Sequence, residues 1–285
     1  IRLMQEEGIE FRTNSNIGKG KSANTILKKF DAVVLACGAS QPRDLSIPGR
    51  DSKGVYFAVD YLTAATKSLL NQQNPANAEI TANGKKVIIV GGGDTGNDCI
   101  ATAIRQGAVS VMQLEMNPKL PDTRAENNPY PEYPRICKTD YGQEEAIAVF
   151  GSDPRLYETT LKECYTDENG NLTSVQLVKV RAEIDPETGR REIHEGETWT
   201  VDADLVILAI GFMGAESYIA DAFGVSQDAR TNLETLPGTH VTANPKIFTA
   251  GDMHTGQSLV VRAIASGRAA AREVDAYLMG YTNLA

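Results

Sequence analysis

The sequence of 285 residues predicts an α/β fold in which one parallel-sheet domain is inserted into another, with an antiparallel β-meander attached. Three observations carry this. The run Lys86-Val87-Ile88-Ile89-Val90 breaks into Gly91-Gly92-Gly93 and continues as a helix-forming segment, which is how a βαβ unit begins. Two distant apolar strands share one signature: Asp31, Val33, Leu35, Ala36 and Gly38 match Asp204, Val206, Leu208, Ala209 and Gly211 at a constant offset. The tail Pro245–Asp252 is another strand ending in Gly-Asp, followed by a long helical pattern. The repeated strands suggest two domains of similar build, an outer one over 1–50 and 245–285 and an inner one over 51–244.

In chain order, residues 1–30 predict a helix end, a short strand Ile9–Arg12 and a polar loop through Asn14-Ser15-Asn16 and Gly18-Lys19-Gly20. Phe30–Ala39 reads as a strand buried on both faces, because an all-apolar run belongs inside a parallel sheet. Gln41–Gly49, with Pro42 and Pro48, is a connector. A helix begins near Asp60, with Phe57, Tyr61, Ala64, Ala65 and Leu69 at helical spacing, and a solvated loop spans Asn71–Asn77. The motif then gives strand, turn, a helix over Thr95–Gln106 and a strand Val109–Leu114 ending at Glu115.

Pro129, Pro131 and Pro134 interrupt the long stretch Asp122–Tyr141. A loop of this length serves either as a lid or partner surface, or as a stiffened surface excursion. Arg124 and Arg135 lie in it with no direction fixed. Strands at Val175–Arg181, around Ile193 and around Trp199–Val201, with a turn at Asp185–Gly189, form the meander. In the tail helix, Val260, Ile264, Gly267, Ala271, Val274 and Leu278 follow the spacing of a buried stripe.

The chemistry of the glycine turn is specific. Gly91 permits the sharp turn, Gly93 removes a Cβ where backbone approaches a pyrophosphate, and Gly96 lets the helix pack closely, with Gly92, Asp94 and Thr95 completing the loop. The helix N-terminus offers unpaired N–H groups to the phosphates. Glu115 stands roughly twenty residues further on, where an acid accepts from the adenosine ribose hydroxyls and repels a 2′-phosphate. The turn therefore predicts a dinucleotide site with NADH favoured over NADPH.

A net charge of −9 without a basic cluster argues against a nucleic-acid surface. No apolar run approaches the ~20 residues of a membrane span. Cys37, Cys99, Cys137 and Cys164 form no CxxC pair, so no metal site is expected, and free thiols point to a reduced cytoplasm. Cys37 and Cys99 are expected to be inert buried thiols. His194, His240 and His254 do not cluster in sequence and receive no role.

Several stretches together carry a family resemblance: Gly91–Cys99, Lys138–Ala146, Phe150–Arg155 and Gly251–Val261. They resemble the two-dinucleotide flavoprotein disulfide-reductase-like superfamily, and within it the glutamate synthase small (β) subunit and the matching C-terminal region of NADH-dependent glutamate synthases. The resemblance implies that NADH binds the domain opened by Gly91, Gly93 and Gly96 and reduces an FAD. It implies that Asp252, after Gly251, contacts the FAD ribityl chain, and that the helix beyond Gly256, Gln257 and Ser258 points at the flavin. Gly38 and Gly211, which end the repeated strands, join these candidate cofactor contacts, and no catalytic acid or base is implied.

It further implies iron–sulfur clusters outside this chain and a large (α) subunit or domain as partner, where glutamate forms from 2-oxoglutarate and glutamine. The chain lacks the family's N-terminal cysteine-rich domain and first glycine-rich FAD turn and has no initiator methionine. It is therefore expected to be a fragment that binds NADH and holds FAD poorly. The alternatives are a related flavoprotein reductase with another acceptor, and a non-catalytic dinucleotide-binding module that docks through the 122–141 loop.

Overall fold

The computed structural model describes residues 1–19, 21–185 and 191–284. The elements run α1 (Arg2–Glu6), α2 (Ala23–Lys29), β1 (Val33–Leu35), β2 (Val55–Phe57), α3 (Ala58–Leu70), β3 (Lys86–Val90), α4 (Asp94–Gln106), β4 (Ser110–Glu115), α5 (Tyr141–Phe150) and β5 (Arg155–Tyr157). They continue as β6 (Thr159–Thr166), β7 (Leu172–Ile184), β8 (Arg191–Asp202), β9 (Leu205–Leu208), α6 (Ser217–Phe223), β10 (Ile247–Thr249), α7 (Asp252–Thr255) and α8 (Val260–Met279). The chain divides into two compact units, Asp44–Ile210 and Ile1–Arg43 with Gly211–Ala285.

The larger unit is a five-stranded parallel sheet in the order β2-β9-β3-β4-β5. Side chains alternate across a strand, and here the alternation builds three layers. Val87 and Ile89 of β3, with Leu205 and Ile207 of β9, pack against Tyr61 of α3 and Cys99, Ile100 and Ala103 of α4. Ile88 and Val90, with Val206 and Leu208, face the opposite way onto Leu161, Leu172, Val175 and Leu177 of the meander. The continuous apolar runs of β3 and β9 are thus buried on both faces, by helices on one side and by the antiparallel sheet β6-β7-β8 on the other. The meander has one long β8 where two separate strands were expected, and its turn lies outside the described residues from Pro186 onward.

The smaller unit holds a two-stranded parallel sheet, β1 with β10, and a core of Ala23, Leu35, Ala215, Ala220, Phe223, Leu233, Ile247 and Met253. Residues of 211–244 share that core, so the chain returns to this unit at Gly211 rather than at 245 as the sequence suggested. Three further expectations are corrected. Ile9–Arg12 is exposed and forms no strand, because it pairs with nothing among the described residues. The strand expected at Phe30–Ala39 is three residues long and Val34 is 44% exposed, since only its Leu35 face packs on the unit's core. Val260, Ile264 and Leu278 are exposed and only Ala270 of α8 is buried. A 20-residue helix is about 30 Å long, whereas strands of three residues span about 10 Å. Two such strands cannot cover the stripe.

Gln106, at the end of α4, anchors the helix layer. Its buried Oε1 accepts from the Tyr61 hydroxyl and from the Ala82 amide, both at 2.8 Å. Tyr61→Phe removes one of two donors and should cost about 1 kcal/mol, whereas Gln106→Leu strands both donors and should cost about 2–4 kcal/mol. Urea unfolding of the two variants checks that order.

Candidate functional site

Among the sequence-selected residues, Gly91, Gly92, Gly93, Asp94, Thr95, Gly96 and Glu115 come together at the carboxyl ends of β3 and β4. The glycines have different reasons for being there. Gly91 has φ +121°, and a Cβ on it would strike the Ala209 carbonyl. A Cβ on Gly96 would strike the Gly91 carbonyl and approach the Gln113 amide to 2.8 Å, so this glycine is the close contact between helix and strand. A Cβ on Gly92 would meet the Glu115 carboxylate. Gly93 alone of the four has nothing within 4 Å and an ordinary φ of −82°. Packing does not require glycine at Gly93, so what it leaves clear is the space in front of α4. It is the N-cap residue of α4, and among the described residues no side chain caps that helix.

Beside this turn lies a cleft of about 470 Å³ lined by Gly92, Gly93, Asp94, Asn97, Glu115 and the segment Tyr133–Lys138, among others. Glu115 is held by Asn117, whose backbone N and Nδ2 donate to its Oε1 at 2.8 and 2.7 Å, which leaves Oε2 against Gly92. The turn itself is held from behind. Gln113, fully buried in β4, donates to the Gly91 carbonyl at 2.9 Å and accepts from Gln143 at 3.1 Å. Gln143 in turn accepts from the Asp140 amide at 2.7 Å, closing the capping box of α5. Asn97 accepts from the Gly142 and Gln143 amides, pinning α5 to α4.

The 122–141 loop forms the far wall of the cleft. Asn128, 1% exposed, is its hub: its Nδ2 donates to Glu132 and to the Tyr133 carbonyl, and its Oδ1 accepts from the Arg135 amide at 2.7 Å. Arg124 points back into the loop, onto the Asn128 and Glu132 carbonyls, whereas Arg135 lines the cleft. Arg155 of β5 fastens the loop's end through the Lys138 carbonyl and the Thr139 hydroxyl.

The remaining candidates lie in the smaller unit. β1 and β10 are parallel, so Gly38 and Gly251 follow the same ends of paired strands, and the Ala250 amide donates to the Leu35 carbonyl at 3.1 Å. Gly251, at φ +66° and ψ −147°, starts α7 with the half-buried Asp252. Gln257 donates to the Phe212 carbonyl at 2.7 Å, bringing Gly256-Gln257-Ser258 beside Gly211. Cys37 is exposed rather than buried, since it lies beyond the short β1, while Cys99 is buried and its thiol is pushed up to about 12 by burial. Among the described residues, no group of three His, Cys, Asp or Glu side chains could hold a metal. No helix there is long and apolar enough to cross a membrane.

Residues 1–132 match the sequence profile described as pyridine nucleotide-disulphide oxidoreductase. The chain is 45% identical, over 98% of its length, to the glutamate synthase (NADPH) small chain of Bacillus subtilis. The chain is therefore similar to a glutamate synthase small chain and carries the oxidoreductase profile over residues 1–132. It is also 45% identical, over its whole length, to glutamate synthase (NADH) of Schizosaccharomyces pombe. The chain spans 57% of the Bacillus protein and 14% of the Schizosaccharomyces one. Its fold is that of Mycobacterium tuberculosis FprA, solved in complex with NADPH, at a TM-score of 0.66 and 16% identity over 93% of this chain and 67% of that one.

The oxidoreductase profile over residues 1–132 supports FAD and NAD(P) as cofactors. The open space at Gly93, the uncapped start of α4 and the carboxylate at the end of β4 fit a dinucleotide. Sequence reasoning missed Gln113, Gln143, Asn97 and Asn128. A glutamine within the otherwise apolar run Val111–Leu114 was the one visible sign, because a buried amide needs partners. The glycines separate by experiment. Gly91→Ala should cost more than about 2 kcal/mol through clash and φ strain, while Gly93→Ala should leave stability within about 0.5 kcal/mol, as read by thermal or urea unfolding.

Proposed function

We propose that this chain is the electron-input part of a glutamate synthase, in which the larger unit binds NADH and the smaller unit contributes to an FAD site. The observation that carries it is the cleft at Gly93, which places open space and an uncapped helix N-terminus beside a positioned carboxylate. The amides at the start of α4 take the pyrophosphate, with Gly93 admitting its approach. Glu115, oriented by Asn117, takes the adenosine ribose hydroxyls. The 122–141 loop is the adenosine wall rather than a free docking surface, since Tyr133–Lys138 face the cleft. In the smaller unit, Gly251 and Asp252 take the ribityl chain, with Gly38, Gly211, Gly256, Gln257 and Ser258 around the flavin. FAD supplies two-electron acceptance from the dihydronicotinamide and onward transfer of single electrons.

NADH is favoured over NADPH. Arg135 and Lys138 also line the cleft, but Arg135 is paired with Glu132 and Lys138 with the Tyr133 hydroxyl, so the nearby Glu115 decides. The partner is a glutamate synthase large subunit or domain, in keeping with relatives that are a small chain and a much longer single polypeptide. Electrons then reach iron–sulfur centres outside this chain and drive glutamate formation from 2-oxoglutarate and glutamine. Four free cysteines suit a reducing compartment such as the cytoplasm.

Anaerobic addition of NADH to the full-length protein should bleach its visible flavin absorbance, and an unchanged spectrum would sink the assignment. Gly93→Val should weaken NADH at least about tenfold with little change in unfolding midpoint, because it fills ligand space rather than protein space. Glu115→Arg should cut the NADH-over-NADPH preference by about tenfold or more in paired fluorescence titrations. A wild-type protein that prefers NADPH contradicts the role given to Glu115.

A further inference from the structure

The three histidines are scattered in sequence, yet His240 and His254 meet in the smaller unit with ring centroids 4.8 Å apart. Around His240 the hydrogen bonds form a chain. Glu273 of α8 accepts from the His240 backbone amide at 2.7 Å, and its other oxygen lies 2.8 Å from His240 Nδ1. His240 Nε2 lies 3.2 Å from the hydroxyl of Ser266, two helical turns before Glu273 and on the same face of α8. That hydroxyl oxygen accepts from the Gly251 amide at 3.0 Å. The His240 carbonyl, finally, accepts from the amide of Thr249, the last residue of β10.

A backbone amide only donates, so Ser266 Oγ accepts from Gly251 and its own proton is free to go to His240 Nε2. In the tautomer that carries its proton on Nδ1, the Glu273 carboxylate accepts from Nδ1 and Nε2 accepts from the Ser266 hydroxyl. His254, beside the pair, lies with Nε2 3.2 Å from the Thr235 hydroxyl, and its burial lowers its pKa. A carboxylate on α8 thus fixes an imidazole, the imidazole fixes a hydroxyl, and the hydroxyl fixes the amide of Gly251.

Gly251 is where such fixing matters. Its φ of +66° and ψ of −147° lie in a region that glycine alone occupies readily, and glycine loses the most conformational entropy when held. We propose that Glu273, His240 and Ser266 are positioning residues that hold the Gly251–Asp252 turn in the shape that receives the polyol chain of FAD. The proposal rests on the flavin reading of the smaller unit. None of the three touches the ligand in this scheme; they act through the Gly251 amide.

Ser266→Ala in the full-length protein should weaken FAD about fivefold to tenfold by flavin fluorescence, the loss of one well-placed bond behind the site. In the FAD-free protein it should speed hydrogen exchange of the Gly251 amide by a similar factor. Ser266→Thr, which keeps the hydroxyl, should restore both values, and His240→Phe should behave as Ser266→Ala. The unfolding midpoint of Ser266→Ala should fall by no more than about 3 °C. A wild-type protein that takes up no FAD overturns the flavin reading and this proposal with it. A wild-type protein that binds FAD, with Ser266→Ala binding it equally well or Ser266→Thr failing to rescue, overturns this proposal alone.

Discussion

The hydrogen bond from Gln113 to the Gly91 carbonyl is short in space and long in consequence. Gln113 sits in the interior of β4 with no exposure, so its amide had to find partners within the protein or be a net loss. One end of the amide takes the Gly91 carbonyl, which the turn off β3 leaves without a strand partner, and the other takes Gln143 from α5. A single side chain therefore joins the turn, the second strand and the helix that ends the 122–141 loop. Because Gly96 carries no Cβ, α4 can come down onto that same carbonyl and amide. Substituting a larger residue at Gly96 would push the helix off the sheet and break the bond together with it.

The layered architecture follows from alternation along β3 and β9. Val87–Val90 of β3 and all of β9 are apolar at every position, which in sequence says only that both faces are covered. Which layer covers which face depends on register, and the odd–even split of Val87 and Ile89 from Ile88 and Val90 shows the helices on one side and the meander on the other. The meander stands where a helix would otherwise lie, and its inward residues Leu161, Val175 and Leu177 supply the same apolar surface through period-two patterning.

The larger unit was legible in the sequence because its elements are long and strongly patterned: β3, the glycine turn, α4, β4 and β9 stand where periodicity put them. The three-residue strands β2 and β5 and the short helices α2 and α6 were not, since segments of that length carry too little pattern to separate from loop. α5 was missed for a different reason. Its buried residues are Gly142, Gln143 and Ala146, so it packs through small and amide groups rather than through an apolar stripe. The smaller unit misled in the opposite direction. The apolar pattern of Phe30–Ala39 and of α8 promised burial, but the short β1–β10 pair leaves Val34, Val260 and Ile264 exposed. At the site, the residues that make the turn were readable from their spacing. Those that hold it, Gln113, Gln143 and Asn128, are brought together only by the fold.

The two glycine turns answer one physical problem in the same way. A turn that is to present backbone donors or open space to a ligand cannot also spend that face on its own support, so its support has to come from behind. At Gly91 the support is an amide side chain from the neighbouring strand acting on a carbonyl. At Gly251 it is a hydroxyl from the following helix acting on an amide. In both cases the supporting side chain is tied down by a further residue, Gln143 in one and His240 in the other. The amide–amide link is uncharged and insensitive to pH. The Gly251 link runs through an imidazole onto the Glu273 carboxylate. The glycines supply the conformations, and side chains from other elements select one conformation from those that glycine permits.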